Sequence, residues 1–204
     1  MGESSSMLVE HWRKLDGPVH PEDRAVFDAN SHTFNLEFPP PAFIGDVENA
    51  PFLLLMMNGG FDASITPLEF PNEVAITKFI DRLHNPRAVQ PNEISPYYES
   101  GNYGNFIANG RLALVNAVAY RSGKLSDEPW NKRVAEKLPS VALHRRWLME
   151  QVIPEALNGR RTMIAHRQGM WKINKDQFNS PNVVFTNSPA SPYLPNRIID
   201  ILRR

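Results

Sequence analysis

The feature that most constrains this chain is Phe52-Leu53-Leu54-Leu55-Met56-Met57, an unbroken apolar run that stops at Asn58-Gly59-Gly60. It is too short for a buried helix and lacks the alternation of a strand with one wet face, so it predicts a strand covered on both sides, as in parallel sheets. Three later segments have the same character: Leu112–Ala117, Thr162–Ala165 and Asn182–Thr186. Between the first two, Val74, Ile76, Phe79, Ile80 and Leu83 fall on helical spacing behind Asn72, a residue suited to capping a helix. Between the second and third, Leu138–Leu157 carries a helical apolar stripe, which Pro154 should bend or end. A helical turn near Gly169–Ile173 and a closing helix over Asn196–Leu202 complete the pattern. Strands alternating with helices in this way predict an α/β fold, a three-layer α/β/α arrangement around a central, mostly parallel sheet.

With 204 residues and 42% hydrophobic content the chain suits one domain spanning 1–204. Residues 1–45 should be irregular, with short helices around His11–Leu15 and from Pro21 to Phe27. The breaker cluster Pro39-Pro40-Pro41 should keep this stretch wrapped around the domain rather than joined to its sheet. Cysteine is absent, which excludes disulfides, thiolate metal sites, iron–sulfur clusters and cysteine nucleophiles. The six histidines show no metal-ligand spacing, and there is no phosphate-binding lysine loop, dinucleotide fingerprint or nucleophile elbow, so neither metal nor cofactor is expected. Nothing resembles a signal peptide or a membrane span, and a cytoplasmic location is expected. Residues 1–110 hold 6 lysines and arginines against 15 acidic residues, and residues 111–204 hold 16 against 7. Such an asymmetry suits either a basic face for a polyanion or self-complementary association.

Ligands of sheets like this bind beyond the carboxyl ends of the strands. Three polar loops should meet there: 58–62, 116–123 and 186–192. Met57-Asn58-Gly59-Gly60 resembles the first motif of the uracil-DNA glycosylase superfamily in its asparagine version, as in the mismatch-specific branch. Leu112-Ala113-Leu114-Val115-Asn116-Ala117-Val118 is similar to the family's pyrimidine-reading strand, and Ser188-Pro189-Ala190-Ser191 resembles the end of its His-Pro-Ser-Pro-x-Ser loop. Two motifs depart from the family: Gly59 stands where it has proline, and Thr186-Asn187 stand where it has His-Pro.

The resemblance implies a monofunctional DNA base-excising hydrolase that needs no cofactor. It implies that Asn58 orients a water, helped by the nearby carboxylate of Asp62, and that Asn116 hydrogen-bonds a base edge with Gly59 and Gly60 close by. Phe61 is the better of two stacking platforms, the other being Phe70. Thr186 and Asn187 can donate hydrogen bonds to the departing base but cannot carry positive charge. Arg121, Ser122, Arg167, Ser188 and Ser191 are the candidates for contact with a nucleic-acid backbone. Each has a plainer alternative. Asn58-Gly59-Gly60 and Asp62 make a tight turn, Asn116 is satisfied by neighbouring backbone, the serines start turns and the arginines face solvent. The same pocket without useful chemistry would make a nucleic-acid or nucleotide-binding protein, and a hydrolase of a small nucleoside is a third reading.

Overall fold

The computed structural model describes residues 6–90, 93–99, 101–187 and 193–204. In chain order the elements are α1 (Met7–Trp12), α2 (Pro21–Asp28), β1 (Phe43–Ile44), β2 (Phe52–Gly60), α3 (Thr66–Glu69), α4 (Glu73–His84), α5 (Pro96–Glu99) and α6 (Gly104–Ala108). They continue with β3 (Leu112–Ser122), α7 (Pro129–Ala135), α8 (Pro139–Trp147), α9 (Ile153–Leu157), β4 (Thr162–Ala165), β5 (Val183–Phe185) and α10 (Asn196–Arg203). The strands form one mixed, mostly parallel sheet in the order β1-β3-β2-β4-β5, in which only β1 runs antiparallel to its neighbour.

The uniformly apolar strands are covered on both faces, as their composition requires. Leu53 and Leu55 of β2, with Ala113, Val115 and Ala117 of β3, join a core built with Leu8, Val9 and Trp12 of α1 and Val141 and Trp147 of α8. The alternate residues Leu54, Met56, Leu112 and Leu114 point the other way, into a second core with Ile107 of α6 and Ile198, Ile199 and Leu202 of α10. Helices therefore flank the sheet on both sides. Asn72 caps α4 through its side chain, which accepts from Ala75 N. Pro154 does not end its helix: a π turn over Leu148–Val152 joins α8 to α9 and absorbs the donor that proline lacks.

Two expectations are corrected. Phe43–Ile44, placed in the wrapping segment, adds a strand to the sheet by pairing with Val115 and Leu114. The apolar pair follows the proline cluster directly, so it can turn in and cover the edge of β3. Nor does β2 stop at Asn58. It runs on to Gly60 beside an equally extended β3, with a register shift between Asn58 and Gly59, so that Gly59 lies opposite Arg121 and Gly60 opposite Ser122.

Close approach, not turn-making, is what glycine serves at position 59. A Cβ there would lie 2.6 Å from the carbonyl oxygen of Ala119 and 2.7 Å from Cγ of Pro41. Gly59→Ala should therefore cost about 1–3 kcal/mol in urea unfolding, because backbone must move to admit it. An unchanged midpoint would show that the extension gives way freely.

Candidate functional site

The two central strands send the chain in opposite directions: β2 leads to β3 on one side and β4 to β5 on the other. Their carboxyl ends thus border the crevice in which α/β sheets hold ligands. His166 and Arg167 follow β4 at once, and both backbone N–H groups donate to the Leu55 carbonyl, at 3.1 and 3.2 Å. Trp171 Nε1 donates to Met56 O at 2.7 Å.

Strand register places four residues in line. Met56 lies opposite Asn116, Leu55 opposite Ala165, and Ala165 opposite Phe185. One step along, Asn116, Met56, His166 and Thr186 form a row across the sheet, about 14 Å long at the usual strand spacing. Side chains alternate faces, and Leu54, Leu114, Ile164 and Val184 all belong to the α10-side core. Met56 and its partner Asn116, two residues further on, share that face, and His166 and Thr186 follow the ends of β4 and β5 beside them. Asn58 follows two residues beyond Met56, opposite Val118 and just before the register shift. A polar band thus crowns an apolar face at the carboxyl end of the sheet.

Within the band, Asn116 is fully buried in mid-strand, not at the strand end where the sequence reading puts it. Its Nδ2 donates to Pro41 O at 2.6 Å, its N–H to Ala42 O at 2.9 Å, and its own carbonyl accepts from His144 Nδ1 at 2.7 Å. Oδ1 has no hydrogen-bond partner among the described residues. Flipping the amide would set oxygen against the Pro41 oxygen, so the orientation is fixed and the acceptor stays unused. Such a buried orphan costs about 1–3 kcal/mol and calls for an explanation.

At the other end of the row, His166 Nδ1 lies 2.8 Å from Thr186 Oγ1, and Thr186 N donates to Ala165 O at 3.1 Å. His166 is fully buried and Thr186 nearly so, while Asn187 is exposed. The sequence reading missed His166. Its position directly after an apolar strand, beside a crevice strand end, was the available signal. Arg167 is partly exposed next to it.

Asn58 is partly exposed and its Nδ2 donates to Gly59 O at 2.7 Å and Ser122 O at 3.4 Å, leaving Oδ1 without a protein donor among the described residues. Asp62 is used differently. Its Oδ1 accepts from Ser64 N at 2.8 Å, Ser64 Oγ at 2.5 Å and Ile65 N at 3.2 Å, which caps the turn into α3. The Ser64 hydrogen bonds hold its carboxyl below the usual aspartate range. Phe61 is partly exposed and makes no ring contact among the described residues. Phe70 is packed between Phe38 and Phe79 at 5.4 and 5.3 Å.

Two of the residues expected along a nucleic-acid backbone lie inside the fold. Arg121 is 1% exposed. Its Nε donates to Pro39 O and its Nη1 to Gly60 O, both at 3.2 Å, and Nη2 pairs with Glu69 at 3.4 Å. Ser122 is also buried, and its hydroxyl donates to Glu128. Both are interior because the extended β3 carries them into the sheet. Ser188 and Ser191 lie outside the described residues. A cavity of about 600 Å³ opens elsewhere, beside the edge strand β1 between Phe79 and Arg82 of α4 and Ile94 and Tyr98, and none of the residues in the polar band lines it.

No family model, curated protein or solved structure matches this chain. What bears on its function is the geometry of the crevice itself. Among the described residues, no helix is long and apolar enough to cross a membrane.

Proposed function

We propose that the protein is uracil-DNA-glycosylase-like, taking a flipped or free nucleobase against the polar band and hydrolysing its N-glycosidic bond. The observation that carries this reading is the row Asn116, Met56, His166 and Thr186 with the buried, unused Oδ1 of Asn116 at one end. A base offers the imino N–H that this acceptor lacks, and the bond to Pro41 fixes which amide atom would meet it. Asn116 is covered in this structure, so entry of a base requires the chain above the row to shift.

In the reaction the bond from C1′ to the base nitrogen breaks with its electron pair leaving on the base, water adds to C1′, and the water's proton passes through solvent to the departing base. Asn58 Oδ1 orients that water. The departing base is met by Thr186 and, behind it, the imidazole of His166, 2.8 Å from the threonine hydroxyl. Thr186 stands where the resembling family has its histidine. Phe61 is the stacking platform, and Arg167 adds positive charge at the mouth.

A second reading, a binding protein for nucleic acid or nucleotide without turnover, is favoured by Asp62. Its carboxylate caps a turn, and among the described residues the row itself carries no carboxylate to serve as general base.

The deciding experiment incubates the protein with labelled single- and double-stranded DNA containing uracil, mispaired thymine or hypoxanthine, and scores abasic sites. Excision should fall by about tenfold or more in Asn58→Ala, and base binding should fall as far in Asn116→Ala. Salt-sensitive DNA binding without cleavage would establish the second reading. Neither cleavage nor binding would sink both.

A further inference from the structure

We propose that the cavity beside β1 is a second ligand site, separate from the polar band, that takes a small organic anion: an apolar or aromatic body carrying a carboxylate or phosphate. Its volume, about 600 Å³, is within the range of small-molecule pockets, roughly 300–1,000 Å³. One wall is α4, whose residues Ala75, Lys78, Phe79, Arg82 and Leu83 recur at the three- and four-residue spacing of a single helix face. The floor is the edge strand β1, and Leu68 of α3 is at the rim.

At this floor β1 leaves a buried donor and acceptor unused. Asn116 N donates to Ala42 O at 2.9 Å, which sets Ala42 and Asn116 as a hydrogen-bonded pair and Ile44 and Leu114 as the next one. Phe43 lies between them, opposite Val115 in a non-hydrogen-bonded pair, so its N–H and C=O point away from β3 and off the open edge of the sheet. Phe43 is 3% exposed, and neither backbone group has a hydrogen-bond partner among the described residues. Buried backbone groups are nearly always paired with protein, water or a ligand. A ligand oxygen that reaches the floor of the cavity accepts from the Phe43 N–H.

Charge decides the class of ligand. Glu69 and Glu93, the two carboxylates that face the cavity, are already matched, by Arg121 at 3.4 Å and by Arg82 at 3.3 Å. Arg82 is held in addition by Phe79, its guanidinium 5.5 Å from the ring centre. Lys78 and Arg87 are then left to meet a ligand. Lys78 makes no ion pair among the described residues. Arg87 pairs with Asp81, which is outside the cavity, in a half-exposed contact at 3.0 Å of the kind that contributes little. An anion in the cavity therefore gains an attraction that a neutral molecule does not. Leu68 is 76% exposed, and the ligand's apolar body would cover it.

The test titrates the full chain with 1-anilinonaphthalene-8-sulfonate, an aromatic anion whose fluorescence rises in apolar surroundings. The expected result is saturation at about one dye per chain with Kd on the order of 10–100 µM. Phenyl phosphate and benzoate should displace the dye, and the one that does so at lower concentration names the anion, whereas benzyl alcohol should not displace it. Lys78 is at the surface, so Lys78→Glu should keep the melting temperature while weakening dye binding by about fivefold or more. Ala75→Trp, which builds a side chain into the cavity from α4, should weaken it by about tenfold or more. Absence of saturable binding by the unaltered chain, or binding undiminished in both variants and so elsewhere on the surface, would overturn the site. Displacement by benzyl alcohol as readily as by the two anions would overturn its preference for negative charge.

Discussion

Arg121→Ala is expected to destabilise the protein by about 3–5 kcal/mol, measured as a fall in the urea midpoint, the range for breaking a buried ion pair from one side. The guanidinium holds three separate things: the Pro39 carbonyl of the N-terminal segment, the Gly60 carbonyl at the end of β2, and the Glu69 carboxylate at the end of α3. It also lies 5.2 Å from the centre of the Phe70 ring. Removing it leaves the Glu69 side chain, 7% exposed, without its counter-charge, and leaves two inward carbonyls without their donor. Arg121→Lys should recover little, since an ammonium cannot span those partners in a plane. Much of the cost should disappear when Glu69 is changed to Gln in the same chain, because the stranded charge is then gone. A loss below about 1 kcal/mol would mean that water already reaches the pair. Because Gly60 and Arg121 anchor the far end of the β2–β3 extension, the variant should also loosen Asn58.

How far the sequence foretells this molecule depends on the range of the interactions. Apolar runs report burial on both faces directly, so β2, β3, β4 and β5 could be read from Phe52, Leu112, Thr162 and Val183 onward, and α4 from its periodicity and its Asn72 cap. The extension of β2 through Asn58-Gly59-Gly60 could not. Locally those residues favour a turn, and only the β3 partners Arg121 and Ser122 and the tight seat against Ala119 and Pro41 make them a strand. Arg121 reads as a surface charge for the same reason: its partner Glu69 is far away in the chain. At the site, the sequence offered Asn58, Asn116 and Thr186 one by one. Their alignment in a band with His166 follows from register between strands, which no single segment encodes.

The largest pH effect should come from the histidines behind that band. His144 is fully buried, accepts from Trp12 Nε1 at 2.8 Å, and donates from Nδ1 to the Asn116 carbonyl. Burial drives its pKa down to about 3, against the protonated-imidazole bond to Asn116 that works the other way, and burial likewise takes His11 to about 4. Both groups titrate near pH 6.5 once unfolded. Below that value the unfolded chain takes up protons that the folded chain refuses, so acid favours unfolding. Stability is complete above about pH 6.5 and falls as the pH drops toward the folded values, by about 2 kcal/mol for each histidine at pH 5. Carboxylates contribute little in that window. Glu136, held down to about 2 chiefly by its hydrogen bond from Arg145, loses its contribution only below its ordinary value near 4.5. Urea unfolding at pH 7 and pH 5 should therefore differ by about 4 kcal/mol, and His144→Gln should roughly halve the difference. Equal midpoints at the two pH values would mean that His144 can protonate in place, breaking the Trp12 bond while the fold stays intact.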